Sequence, residues 1–257
     1  MISGGRNFVD IIKTIVSLVG KFCPLLIFVL VISGGCKEQT KVRDIQAESG
    51  VYESQSNIFS GITDSDLKNF NWLNKPEEYK IQNKSLIITA AENSDFFINP
   101  EDHTSTATAP VLYREVTGDF VAITRVTPDF TSQWNAAALM VLINDSNWIK
   151  FGFENSDATG PSIVSVVTRE TSDDTNGAIL NDREAVWLKI ARKGDNYAMH
   201  WSIDGEEYYM ARLAAMPVTD TVKLGIEAQC PTGKRAIHKF DYFSIESATV
   251  QELRAGE

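Results

Sequence analysis

Six side chains in this sequence have the types and placement that polar recognition chemistry requires: Trp134, Asn135, Lys150, Glu154, Glu227 and Gln229. Trp134 follows the polar run Thr131-Ser132-Gln133, where an indole has no evident core to fill. Lys150 and Glu154 alternate with Ile149, Phe151 and Phe153, and Glu227 and Gln229 alternate with Ile226 and Ala228. Period-two alternation puts these charged and amide groups on the non-core faces of two strands. Such a set suits a saccharide, because a pyranose has polar edges and apolar faces. An aromatic plate covers the face, and planar hydrogen-bonding groups read the edge. Trp134 is the candidate plate, with Asn135, Glu154 and Gln229 as edge readers and Lys150 and Glu227 beside them. The plainer reading of the same residues is the wet outer face of a sandwich sheet.

Glu154 and Glu227 also admit an acid–base reading. Glycosidase carboxyl pairs stand ~5–5.5 Å apart in retaining enzymes and ~6.5–9.5 Å in inverting ones, and the sequence does not fix that distance. Metal chemistry has weaker support. His103 lies in a loop with Glu101 and Asp102, while His200 and His238 fall within strand patterns, and this scatter does not spell a zinc site. Asp173-Asp174 and Asp145-x-Asn147 offer oxygen ligands that calcium would accept, without a dense ligand loop. The expectation is therefore no cofactor, with calcium as the open alternative. There is no Gly-rich phosphate loop, Cys-x-x-Cys pair or nucleophile elbow.

The elements that must position these groups read as strands. Leu86–Thr89, Phe120–Val126, Ala137–Ile143, Trp148–Glu154, Ile163–Thr168, Val186–Ala191, Tyr197–Ile203, Glu207–Leu213, Val222–Cys230 and Phe240–Ile245 carry the apolar alternation or short apolar runs of β structure. Turn residues separate them: Asn144–Asn147, Asp157–Pro161, Arg192–Asn196 and Asp204-Gly205. No stretch after residue 58 carries a helical period of useful length. About ten or more strands at short spacing predict an all-β, antiparallel two-sheet β-sandwich.

The first 36 residues follow another logic. Arg6, Lys13 and Lys21 precede an apolar run of 11 residues, Phe22–Ile32, and Ser33-Gly34-Gly35-Cys36 follows it. This is the order of a secretory signal. The small residues before Cys36 resemble the lipobox of bacterial lipoproteins, with Ser33 where that motif usually has Leu. An apolar run this short falls below the ~20 residues that span a bilayer. The expected organisation is a signal peptide over residues 1–35, lipidation at Cys36, a flexible tether over 36–57, the sandwich over 58–247, and a marginal tail over 248–257. Cleavage would leave Cys36 and Cys230 as the remaining cysteines, with no intrachain disulfide because Cys36 would carry lipid. Cys230, beside Ile226 and Ala228, reads as a buried small hydrophobe.

Charge narrows the partners. The chain has a formal net charge of −10, and loss of residues 1–35 would leave 21 basic and 33 acidic residues. A surface of that sign repels phosphate backbones, so nucleic acid is not an expected partner.

Several segments together resemble a known family. They are Thr117–Phe120, Arg125–Phe130, Ala138–Val141, Asn147–Glu154, Ser165–Arg169, Ala185–Ile190 and Trp201–Gly205. In this order they are similar to the bacterial family catalogued as domain of unknown function 1349, a concanavalin A-like lectin/glucanase jelly roll. The resemblance covers about Phe70 to Glu246. It implies a concanavalin A-like sandwich and an association with carbohydrate, and it supplies no catalytic residues. The chain has Trp134-Asn135-Ala136 where the family pattern has Tyr-Asp-Gln, and Ser172-Asp173-Asp174 where it has Ser-Asp-Trp. The Glu-x-Asp-x-x-Glu type strand of the superfamily's glucanases does not occur here. These readings combine into an expectation: a lipid-anchored, non-catalytic carbohydrate-binding protein of the cell envelope, at the outer membrane of a Gram-negative bacterium. The alternatives are a glycoside hydrolase or lyase acting on a polysaccharide, and a structural partner in an envelope complex.

Overall fold

The computed structural model describes residues 56–257 apart from residue 62. The expected signal segment, the Cys36 lipidation site and nearly all of the expected tether lie outside the described residues.

After a short 3-10 helical segment, Asp64–Asn69, come short strands: β1 (Asn71–Leu73), β2 (Tyr79–Gln82), β3 (Ser85–Ala91), β4 (Phe96–Ile98) and β5 (Ser105–Ala107). The long strands β6 (Val111–Thr117), β7 (Phe120–Thr127), β8 (Ala136–Asn144), β9 (Asn147–Ser156), β10 (Gly160–Arg169) and β11 (Thr171–Ile179) follow. The set closes with β12 (Val186–Lys193), β13 (Asn196–Ser202), β14 (Tyr209–Ala215), β15 (Thr221–Gln229) and β16 (Arg235–Glu246). They build two seven-stranded antiparallel sheets, as the alternation predicts. The first runs β1-β6-β15-β8-β9-β10-β11 and the second β14-β13-β12-β7-β16-β3-β2. Strands β4 and β5 pair only with each other.

The core lies between the two large sheets, where alternate residues of the central strands are apolar. Leu139 and Val141 of β8, Ile149, Phe151 and Phe153 of β9, and Leu224 and Ile226 of β15 meet Leu86, Ile88, Leu188, Ile190 and Phe240 of the other sheet. Burying one such side chain contributes about 1.5–3 kcal/mol, so the pattern drives the sandwich. Backbones also approach closely within the first sheet. A Cβ at Gly225 of β15 would overlap the Leu112 carbonyl on β6.

The first sheet is covered on its other face as well. Phe96 and Ile98 of β4 pack with Met140, Leu142, Trp148, Val164 and Val166 in a second apolar cluster. The Phe96 and Trp148 rings meet edge to face at 5.9 Å. This cluster explains why β8 is apolar throughout: Ala137, Leu139 and Val141 enter the main core, and Met140 and Leu142 serve the β4–β5 hairpin. The outer face read from the sequence as wet is thus covered in part.

Both ends of the fold are pinned. The Asn57 side chain donates to the carbonyls of Lys84 and Asp241 and accepts from the amides of Phe59 and Phe243. At the other end, the tail expected to be marginal packs onto the second sheet. Val250 is buried with Val121 and Ala191. The Gly256 carbonyl accepts from Lys189, and the Arg254 carbonyl lies 3.0 Å from His200 Nε2. The sequence hides this contact because it depends on a few apolar residues, Ala248, Val250 and Leu253, with no sustained period.

Candidate functional site

Five strands of the first sheet build a polar hollow on the face opposite the core. The register places Gln229 of β15 in one row with Ala136 of β8, Glu154 of β9 and Ser162 of β10. Glu227, Ala138, Gly152 and Val164 form the next row, and Gly225, Met140, Lys150, Val166 and Asp174 the third. Ala136, Ala138 and Gly152 have little side chain, and that leaves room for the long polar groups to lie across the sheet. The resulting cavity of about 270 Å³ is lined by Trp134, Lys150, Glu154, Asp157, Asp174 and Gln229, together with Asp95, Phe97, Val164 and Val166.

Lys150 is buried at the centre. Its ammonium donates to Gln229 Oε1 at 2.6 Å, the Phe96 carbonyl at 2.9 Å and Asp95 Oδ1 at 3.2 Å. Burial opposes the charge, but the carboxyls of Asp95, Glu227 and Glu154 outweigh it and hold the ammonium above the usual lysine range. The Gln229 amide donates onward to the Trp134 carbonyl at 2.7 Å and to Glu154 Oε2 at 3.4 Å. Burial pushes the Glu154 carboxyl up to about 8, against the pull of Lys150. It pushes Glu227 to about 8 as well. Lys150 and Asp95 form an ion pair at 3.2 Å, and burial favours the protonated forms of Glu154 and Glu227 beside them.

Trp134 sits in a loop held at both ends. Its amide donates to the Asn155 carbonyl at 2.7 Å, and the Asn155 side chain donates to the Ser132 carbonyl at 3.1 Å. Its φ is 60°, a left-handed conformation that bulky residues rarely adopt. The indole remains 37% exposed at the cavity wall. A second brace comes from His238, which is buried. Its Nδ1 accepts the Asp129 amide at 3.2 Å, so Nε2 is left to donate to the Gln229 carbonyl at 2.9 Å. Burial lowers its pKa to about 4, which keeps this neutral tautomer in place.

The structure brings together Trp134, Lys150, Glu154 and Gln229 from the sequence-predicted set. Asn135 lies elsewhere: it is buried beneath the loop, and its amide donates to the Asp129 carbonyl at 2.8 Å. The reversal at Trp134 turns the next side chain inward, so Asn135 braces the loop. Glu227 is fully buried behind the cavity, and among the described residues neither carboxyl oxygen has a hydrogen-bond partner. It does not line the hollow, so the Glu154–Glu227 pair does not face a common space. Asp95, Phe97 and Asp157 were not anticipated, since they lie in turns or in a strand of three residues. The sequence offers Asp174 only together with Asp173, as oxygen ligands for calcium. Alternation separates the two: Asp174 lines the cavity, while Asp173 pairs with Arg212 at 2.7 Å. Asn147 closes its own turn onto Asn144, and His103 is exposed in its loop. His200 is buried beside the tail, far in the fold from the hollow because it belongs to the second sheet. Cys230 is free and fully buried, as an apolar strand position requires.

The two raised carboxyls link stability to pH. In the unfolded chain a glutamate titrates near 4.5, and in the fold these two titrate near 8. The native state holds more protons across that window, so stability is greatest below it and is lost as pH rises through 8. One fully shifted group sets a ceiling of about 4–5 kcal/mol, and two coupled groups give less than twice that. His238 acts in the opposite sense between about 4 and 6.5, where the unfolded imidazole binds the proton. The net loss is therefore steepest between about pH 6.5 and 8. Urea unfolding midpoints measured across this range should fall for the wild type and stay nearly level for the double variant Glu154→Gln, Glu227→Gln. Equal slopes for both proteins would refute the assignment.

Comparison with known proteins places the chain. Residues 72–248 match the family described as "Protein of unknown function (DUF1349)". The chain belongs to that family. It is similar to "Regulation of enolase protein 1" of Saccharomyces cerevisiae, with 26% identity over 167 residues, 65% of this chain and 84% of that protein. A solved structure of a functionally unknown protein from Saccharomyces cerevisiae superposes with a TM-score of 0.67 and 25% identity, covering 72% of this chain and 99% of that one. The GH43 protein BlXynB from Bacillus licheniformis superposes with a TM-score of 0.55 and 15% identity, over 70% of this chain and 37% of that one. This last likeness concerns the fold alone, the β-sandwich. The yeast relatives overturn the expected placement at the outer membrane of a Gram-negative bacterium. Nor do the relatives lend support to the lipoprotein signal and membrane anchor read into residues 1–36.

Proposed function

We propose that this family member binds carbohydrate in the hollow beside Trp134. One observation carries the reading. A left-handed, part-exposed tryptophan shares a cavity with the buried Lys150–Gln229–Glu154 chain of hydrogen bonds. Strained backbone and buried polar side chains lower stability, and they persist where a site requires them. The cavity is large enough for about one or two sugar rings by ordinary pocket dimensions. The glycosidase-like fold neighbour adds support at the level of architecture. Affinity electrophoresis against a panel of polysaccharides should show retardation on at least one of them. Unchanged mobility on the whole panel would end the proposal.

Hydrolysis is the second reading, and Glu154 favours it. Its carboxyl lines the cavity and keeps its proton to about 8, as a general acid must, and Asp157 and Asp174 line the same wall. Glu227, behind the cavity, takes no part. Release of reducing ends by the wild type, abolished in Glu154→Gln, would establish this activity. Binding without release would leave the non-catalytic reading.

A further inference from the structure

We propose that the sugar taken by this cavity is an amino sugar with a free ammonium group. The inference rests on the carbohydrate reading above and follows from which hydrogen-bonding groups remain available. Lys150 offers three N–H donors, and Gln229 Oε1, the Phe96 carbonyl and Asp95 Oδ1 engage all three. Gln229 offers two, and the Trp134 carbonyl and Glu154 engage both. The cation and the amide in the lining thus have no donor left for a ligand.

The acceptors are in surplus. Glu154 is nine-tenths buried and lines the cavity, and among the described residues only its Oε2 meets a donor, at 3.4 Å. Asp95 gives Oδ1 to Lys150 and to the Phe96 amide, which leaves Oδ2. Asp157 and Asp174 add carboxylates at the exposed side of the hollow. Such a wall asks its ligand for donors. An ammonium supplies three N–H groups and no acceptor, together with a charge of the complementary sign. An N-acetyl group brings a neutral carbonyl that finds one donor in the lining, the proton that Glu154 keeps, and no charge to meet Asp95, Asp157 and Asp174, and a uronate or sulfate brings a like charge. The indole of Trp134 lies at the same wall, and an aromatic face attracts a cation as well as an apolar sugar face. Burial favours the protonated form of Glu154, and a cation bound beside it would release that proton to solvent and leave a carboxylate of complementary sign.

Calorimetry on the full chain at pH 6 tests the assignment with three probes: a glucosamine oligomer, the same oligomer fully N-acetylated, and an oligogalacturonide. The free-amine oligomer should bind at least about tenfold more tightly than the acetylated one, the increment of one charge-assisted contact over a neutral one. That advantage should shrink with added salt. It should drop to within about threefold in Glu154→Gln and in Asp174→Asn, a buried and an exposed substitution that keep side-chain shape. Equal or weaker binding of the free amine overturns the amino-sugar assignment. If the acetylated oligomer still binds, and loses binding in Trp134→Ala, carbohydrate recognition itself stands. If no glycan binds, both fall. Spermine binding as tightly as the oligomer would also overturn it, by reducing the effect to attraction toward an acidic protein.

Discussion

Replacing Lys150 by methionine should destabilise the protein by about 3–5 kcal/mol, the cost of removing one partner from a buried ion pair. The side chain of methionine fits the same space, so the loss isolates the charge. The Phe96 carbonyl and Gln229 Oε1 would lose their donor inside the fold, and Asp95 Oδ1 would keep only the Phe96 amide. Asp95 belongs to the turn that leads into β4, so the loss loosens the hairpin over the first sheet as well as the cavity. For a domain of this size the melting temperature should fall by roughly 10 °C or more. Glu227→Gln provides the contrast. Among the described residues Glu227 has no hydrogen-bond partner to lose, and its charged form is disfavoured, so this change should be neutral or slightly stabilising at pH 8. Urea titration of the two variants decides the matter. A Lys150→Met loss below 1 kcal/mol would mean that the polar chain does not hold the site together.

Trp134→Ala should reduce glycan affinity by roughly thirtyfold or more, the effect of truncating a central aromatic contact worth about 2 kcal/mol. Trp134→Gly should lose binding equally, yet prove about 1 kcal/mol more stable than Trp134→Ala, because glycine alone accepts φ of 60° without a steric penalty. The pair separates the two roles of the position. The backbone conformation belongs to the loop, set by the hydrogen bonds of Asn155 on either side. The indole belongs to the ligand. Retained affinity in both variants would move the binding site elsewhere, whatever glycan is used.

Much of the architecture was legible residue by residue. Leu139–Val141, Ile149–Phe153 and Val222–Ala228 declare their strands and their core faces, because burial on one side of a pleated strand writes a period of two into the chain. β6 and β11 carry no such signal. The first mixes Arg114 and Glu115 into its apolar pattern, and the second, Thr171–Ile179, is a polar edge strand whose partner is β10. Strands so patterned are recognisable only from the neighbours that pair with them.

For the candidate site, alternation in the sequence determined that Lys150 and Glu154 share one face of β9 and that Glu227 and Gln229 share one face of β15. It also marked Trp134 as a residue without a place in the core. Only the tertiary structure decided which of these groups meet. Register across β15, β8 and β9 set Gln229 beside Glu154, while the hairpin from Phe96 to Ala107 closed over the sheet and enclosed Lys150 and Glu227. The physical reason is one of range. Strand periodicity is a local consequence of backbone geometry, visible in any few residues. The depth of a side chain, its proton affinity and its hydrogen-bond partners depend on segments such as Asp95 and Trp134 that approach from far along the chain.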